Sequence, residues 1–189
     1  MKRCEEMAAA VKSVAWGYIF LHLNFNLGTL DLLPDWWGIC LIVKALNTIA
    51  REEASAKLLR PLGILLGVWA GLQWIVKLLG GAWDWGIIDA VVAVISLYFH
   101  FQLLTNLAAV SEKFWCPETN RILTLRTVDT VMITLLALPL PWEEHELLVF
   151  GIILVEVAVA IWLCQVLFSL CRSLVSRDPD TADLPSEFC

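Results

Sequence analysis

Long apolar runs separated by short polar breaks dominate the chain. Six are visible, at 13–33, 36–50, 58–79, 86–110, 128–141 and 147–170. Crossing the hydrocarbon core of a bilayer takes about 20 mostly apolar residues in a helix, because every backbone N–H and C=O must find its partner within the segment. The pattern therefore predicts an all-α polytopic membrane protein with six transmembrane helices. Runs two and five are short, and the fifth closes on Pro139 and Pro141, so these helices either extend into polar flanks or stop short of one face.

The polar breaks alternate in charge. Lys2, Arg3 and Lys12 precede the first run; Arg51, Lys57 and Arg60 lie between the second and third; Lys113, Arg121 and Arg126 between the fourth and fifth; Arg172 and Arg177 follow the sixth. The other turns, 31–37, 80–85 and 142–146, hold no Lys or Arg. Short cytoplasmic loops retain positive charge, so both termini are expected in the cytoplasm with three turns outside. Dropping one span would place basic loops on both sides. The first run is too long for a signal-peptide core and lacks a small-residue cleavage pattern, so it is expected to remain as helix one. The transmembrane domain is assigned to 1–172, and 173–189 to an acidic, Pro-containing, disordered cytoplasmic tail.

Composition agrees with this assignment. The chain has 189 residues, of which 59% are hydrophobic and 17% charged, whereas a soluble domain carries about 25% charged residues. Its net charge of -6 gives no basic surplus to neutralise a phosphate backbone, which argues against nucleic acid as a partner and leaves the lipid bilayer as the first one.

A weak repeat marks the outer turns. Asp35-Trp36-Trp37-Gly38-Ile39 and Trp83-Asp84-Trp85-Gly86-Ile87 each open a helix, and Pro139-Leu140-Pro141-Trp142-Glu143 holds the equivalent place in the last pair. The chain thus reads as three helical hairpins in series, an arrangement often met in transporters. Ordinary interfacial chemistry accounts for the same residues, since Trp favours the headgroup zone and Gly and Pro suit turns.

Ionisable groups inside a span cost about 2.5–3.5 kcal/mol on insertion scales and so call for a partner or a function. Helical spacing sorts them into faces. Helix one aligns Tyr18, His22, Asn26 and Thr29; helix two Trp37, Lys44, Asn47 and Arg51; helix four Asp89, Ser96 and His100; helix six Glu156, Ala160, Cys164 and Cys171. If these stripes converge, His22, Asn26, Lys44, Asp89, Ser96, His100 and Glu156 line a path for a cation or small polar solute. The alternative is that they lock helices together, with Lys44 paired to Glu156 as the sharpest case. At the outer rim Asp31, Asp35, Asp84, Glu143, Glu144 and Glu146 stand beside Trp36, Trp37, Trp85 and Trp142. Such a mouth concentrates cations and can hold an organic one on its ring faces, although acidic loops and aromatic belts are also routine.

Neither a metal nor a cofactor is expected from local spacing. There is no Cys-x-x-Cys or His-Glu-x-x-His, and the adjacent Glu143-Glu144-His145-Glu146 cannot all point at one ion. No phosphate loop or nucleophile elbow is present, and Ser96 with His100 one turn on reads as a hydrogen-bonded pair, so enzymatic activity is not expected.

The stretch Asn26-Leu27-Gly28-Thr29-Leu30-Asp31-Leu32-Leu33-Pro34-Asp35-Trp36-Trp37-Gly38 resembles a group of small uncharacterised bacterial integral membrane proteins with a Leu-Pro-Asp-aromatic-aromatic-Gly turn. The likeness covers the first third of the chain and implies no particular activity. In size and helix count the chain is also similar to the substrate-binding membrane subunits of energy-coupling-factor transporters. Those subunits carry small residues four apart on helix one, whereas here Ala8 is followed by Lys12 and Ala9 by Ser13. The expected function is a small membrane transport protein for a cation or polar solute, the alternative a non-transporting scaffold or accessory subunit. With so little mass outside the bilayer, a homo-oligomer or a partner membrane subunit fits either reading.

Overall fold

The computed structural model describes residues 2–22, 26–27, 30–31, 35–81, 86–137 and 146–176. Its helices are α1 Lys2–His22, α2 Asp35–Glu52, α3 Ala56–Leu78, α4 Ile87–Lys113, α5 Thr119–Ala137 and α6 Glu146–Ser176. Between α1 and α2, strands β1 Asn26–Leu27 and β2 Leu30–Asp31 pair antiparallel, Asn26 opposite Asp31 and Leu27 opposite Leu30. Ala56–Leu78, Ile87–Lys113 and Phe150–Ser176 are long and apolar enough to cross a membrane. Leu65, Val68, Leu72, Val91, Val94, Leu154 and Ile161 on these three helices are exposed, as side chains facing lipid would be.

Each helix packs on its sequence neighbours and α6 returns onto α1, so the six close into a ring. Of the three expected hairpins, α1 with α2 makes the most extensive contact, whereas α3–α4 and α5–α6 do not stand out from their neighbours. The contacts of α2 with α3 and of α4 with α5 are more extensive than those of α3 with α4 or α5 with α6. Short connections at 53–55 and 114–118 hold the former pairs together at one end of the ring.

That end is tightly knit and charged. Arg3 pairs with Glu52, Arg51 with Glu6 at 2.7 Å and Lys113 with Glu53 at 3.2 Å, tying α1, α2 and α4 together. Ser169 and Ser173 of α6 donate to Glu118 Oε1, each at 2.8 Å, just before α5 begins. The start of α1 and the end of α6 therefore share this end. The core lies beneath it, built from Val11, Val14, Ile42, Leu46, Ile49, Leu59, Leu103, Leu107, Ile122, Leu163, Leu167 and Leu170.

Two helix boundaries depart from the apolar pattern. The first run, expected as a helix over 13–33, contains the end of a helix described as Lys2–His22, and residues 26–27 and 30–31 within it are strand. Residues 2–12 carry Lys and Glu, yet Met7, Ala8, Ala10 and Val11 bury one face, so an amphipathic turn was hidden by its charge. The fifth helix starts at Thr119 rather than 128, which takes Arg121 and Arg126 out of the loop. Thr124, Thr127, Thr130 and Thr134 donate to the carbonyl four residues back, at 2.7–3.0 Å, so these hydroxyls are satisfied within the helix. At the far end α6 continues past 172 to Ser176; the tail from 177 lies outside the described residues.

The two repeated Trp-Gly turns also differ in local structure. Gly38 lies inside α2, where a Cβ would stand 2.7 Å from Gly17 O, and one on Gly17 would stand 2.8 Å from Gly38 O. The pair is the point where α1 and α2 cross. Gly86 instead has φ +51 just before α4, with open space around it. One glycine serves a helix crossing and the other a backbone turn.

Candidate functional site

Three ionisable side chains from three helices meet on one side of the ring. His22 closes α1, Asp129 sits midway along α5 and Glu156 lies in the first half of α6; their ligand atoms all lie within 4.8 Å of one another. Asp129 is 3% exposed. Its Oδ1 and the Oε2 of Glu156 are buried without a hydrogen-bond partner. Two carboxyl groups and an imidazole meet here, Asp129 buried and the other two half-buried, and a proton or a cation is needed to offset the like charges of the acids.

Tyr18 sets the geometry from one turn below. The Nδ1–H of His22 donates to Tyr18 O at 2.9 Å, because a carbonyl can only accept. That bond fixes the tautomer and leaves Nε2 for the carboxylates. The Tyr18 and His22 rings stack with centroids 5.8 Å apart. On its other side the buried Tyr18 hydroxyl is hydrogen-bonded to His100 Nδ1 at 3.2 Å.

Two cavities flank this Tyr18 partition. A cavity of about 460 Å³ opens between α1 and α6, lined by His22, Glu156, Cys164 and Gln165 among apolar side chains. Another, of about 330 Å³, lies among α2, α3 and α4 and includes Asp35, Gln73, Asp89, Ser96 and His100. Gln73 donates to Asp89 Oδ1 there at 3.3 Å. The polar groups thus run from an acidic recess through His100 and Tyr18 to His22, Asp129 and Glu156.

The structure therefore brings together most, though not all, of the residues singled out by spacing. Asp89, Ser96 and His100 share the α2–α3–α4 recess with Asp35, while His22 and Glu156 meet in the other cavity. Lys44 joins neither. Trp37, Lys44, Asn47 and Arg51 form the expected stripe, but it is exposed and faces outward. Lys44 lines a groove with Glu6, Ser13, Thr48 and Arg51, and the expected Lys44–Glu156 ion pair is not among the salt bridges of the described residues. Asn26 belongs to β1, so it leaves the helix-one stripe, and its side chain and that of Asp31 lie outside the described residues. Asp84, Trp85, Trp142, Glu143, Glu144 and His145, and the Glu146 side chain, also lie outside them. Of the rim, Trp36 packs on Trp37 and Trp74 at 5.4 and 6.4 Å.

Asp129 is the residue that local spacing passes over. It stands at the edge of the fifth apolar run, three residues after Arg126, where no polar stripe was drawn. Arg126 is occupied elsewhere, donating to Thr105 at 2.9 Å and lying 4.3 Å from the Phe101 ring centre. Local motif spacing likewise gave no metal site, because the three candidate ligands come from positions 22, 129 and 156. Comparison with protein-family models, curated proteins and solved structures returns no match for this chain.

Proposed function

We propose that the chain is a small integral membrane protein that crosses the bilayer six times, keeps both termini in the cytoplasm, and binds or moves a cation through the polar interior centred on His22, Asp129 and Glu156. The observation that carries this reading is the convergence of those three side chains from three helices with buried, unpartnered carboxylate oxygens. A positive ion is what such a centre lacks. The orientation rests on the basic residues: Arg3, Arg51, Lys57, Arg60, Lys113 and Arg172 gather at or near the helix ends tied together by ion pairs. The acidic recess at Asp35 and Asp89 would draw cations from the opposite face, towards His100 and Tyr18. An exposed polar stripe on α2 is costly against lipid and supports a second copy or a membrane partner over it.

Polar locks between helices favour a second reading, a scaffold whose polar residues are structural. Ser55 donates to Asn106 Oδ1 at 2.8 Å, and Arg126 to Thr105. The two readings part in proteoliposomes loaded with fluorescent indicators for K⁺, Mg²⁺ and Zn²⁺. Transport predicts that Glu156→Gln and His22→Ala abolish the entry of at least one of these ions. Unchanged entry for all three, with a lowered melting temperature, would instead establish the scaffold.

A further inference from the structure

The geometry points to His22, Asp129 and Glu156 as the protein ligands of one divalent transition-metal ion, of the class exemplified by Mn²⁺, Fe²⁺ and Zn²⁺. This rests on the cation reading above and names the ion that reading leaves open.

Three features carry it. The ligand set is one imidazole nitrogen and two carboxylates, which suits first-row divalent metals; Ca²⁺ and Mg²⁺ favour oxygen alone. The atoms lie within 4.8 Å of each other, close enough for one ion to bridge them after small side-chain rotations. His22 is already held by a partner on its other nitrogen, the Tyr18 carbonyl at 2.9 Å, and metal-ligating imidazoles are almost always tethered in this way. Asp129 adds an independent sign. At 3% exposure it keeps Oδ1 without a hydrogen bond, and the salt bridges of the described residues supply no Lys or Arg for it.

Among the described residues three side chains are available as ligands, which leaves coordination positions for water. That is the pattern of a site that exchanges its ion or presents it to something else, rather than of a closed structural centre. Both His22 and Glu156 line the cavity along α1 and α6, which leaves room beside the site for the ion's remaining ligands.

The test uses the full chain, purified in detergent without a histidine tag, stripped with EDTA and titrated with Mn²⁺, Zn²⁺, Mg²⁺ and Ca²⁺. The expected result is one Mn²⁺ or Zn²⁺ per chain, with Mg²⁺ and Ca²⁺ at least tenfold weaker. Asp129→Asn, Glu156→Gln and His22→Gln should each weaken binding more than tenfold. Metal should raise the melting temperature of the parent chain and not that of Asp129→Asn. Asp129→Asn keeps the size and a carbonyl of the parent side chain, so its melting temperature without metal, measured alongside, should match the parent's and shows that loss of binding does not reflect unfolding. Stoichiometric binding that survives all three substitutions would overturn the assignment. So would equal affinity for Ca²⁺ and Zn²⁺, or no divalent binding at all. If divalent binding fails while K⁺ entry into proteoliposomes still needs Glu156, the cation reading stands and this assignment falls. If no ion depends on these residues, both fall.

Discussion

Tyr18 is the residue on which the interior turns, because each of its polar parts is used in a different direction. Its carbonyl orients His22, its ring packs on that imidazole and its hydroxyl meets His100. Spacing alone placed Tyr18 and His22 one turn apart on a shared face, and for that pair it sufficed. It could not supply Asp129, whose burial is decided by α6 and α1 rather than by its own neighbours in sequence. Nor could it show that Lys44 faces outward, since an amphipathic stripe has a period but no sign: the polar side can face either the bundle or its surroundings. A second residue-scale consequence lies at Gly38, where the nearest atom to an added Cβ is a backbone oxygen that cannot rotate away. Gly38→Ala should cost about 1–3 kcal/mol by forcing α1 and α2 apart, despite the better helix propensity of Ala. Gly71→Ala, where a Cβ would meet Trp36 only at 4.0 Å, should be neutral or stabilising. Thermal unfolding of both variants in detergent checks the contrast, and equal behaviour would remove the close crossing from the account.

At the scale of elements, helix type was legible throughout, and helix position was legible for α2, α3, α4 and α6 but not for α1 and α5. Windows of hydropathy find α3, α4 and α6 because these three expose apolar side chains on most sides. They misplace α1 and α5, whose charged or hydroxyl residues occupy one face while the other packs inward. Both helices are anchored at the charged end, and that end has a pH dependence of known sign. The Arg3 guanidinium holds Glu52 below its ordinary carboxylate range, chiefly by hydrogen bonding, and Lys113 does the same for Glu53. A carboxylate whose folded value is lowered stabilises the fold above the unfolded value of about 4.3, and that stabilisation is lost as pH falls through the lower folded value. The melting temperature of Arg3→Ala should therefore lie below that of the parent at pH 7, and the gap should close below about pH 4 as Glu52 takes up its proton. A gap that persists unchanged at pH 3 would mean that Arg3 acts by packing, for instance against Phe114, whose ring centre lies 5.7 Å from its guanidinium carbon.

On the scale of the whole molecule, six helices in a ring with a charged, tightly packed end place the polar centre beside one cavity and separate it from the other by Tyr18. Alternating basic and acidic turns were legible in the sequence, and its hairpin pattern paired sequence neighbours; the return of α6 onto α1 was not legible, because that contact joins positions more than 130 residues apart. The ion path proposed through the site depends on the charged end lying in the cytoplasm and the opposite end lying outside. The most direct measurement is cysteine labelling with a membrane-impermeant maleimide, in a parent freed of its native cysteines. Gly81→Cys should react in intact cells, whereas Lys57→Cys and Lys113→Cys should react only after the membrane is opened. If Gly81→Cys and Lys113→Cys are labelled from the same side, the six-span arrangement is wrong, and the ion route built on it goes with it.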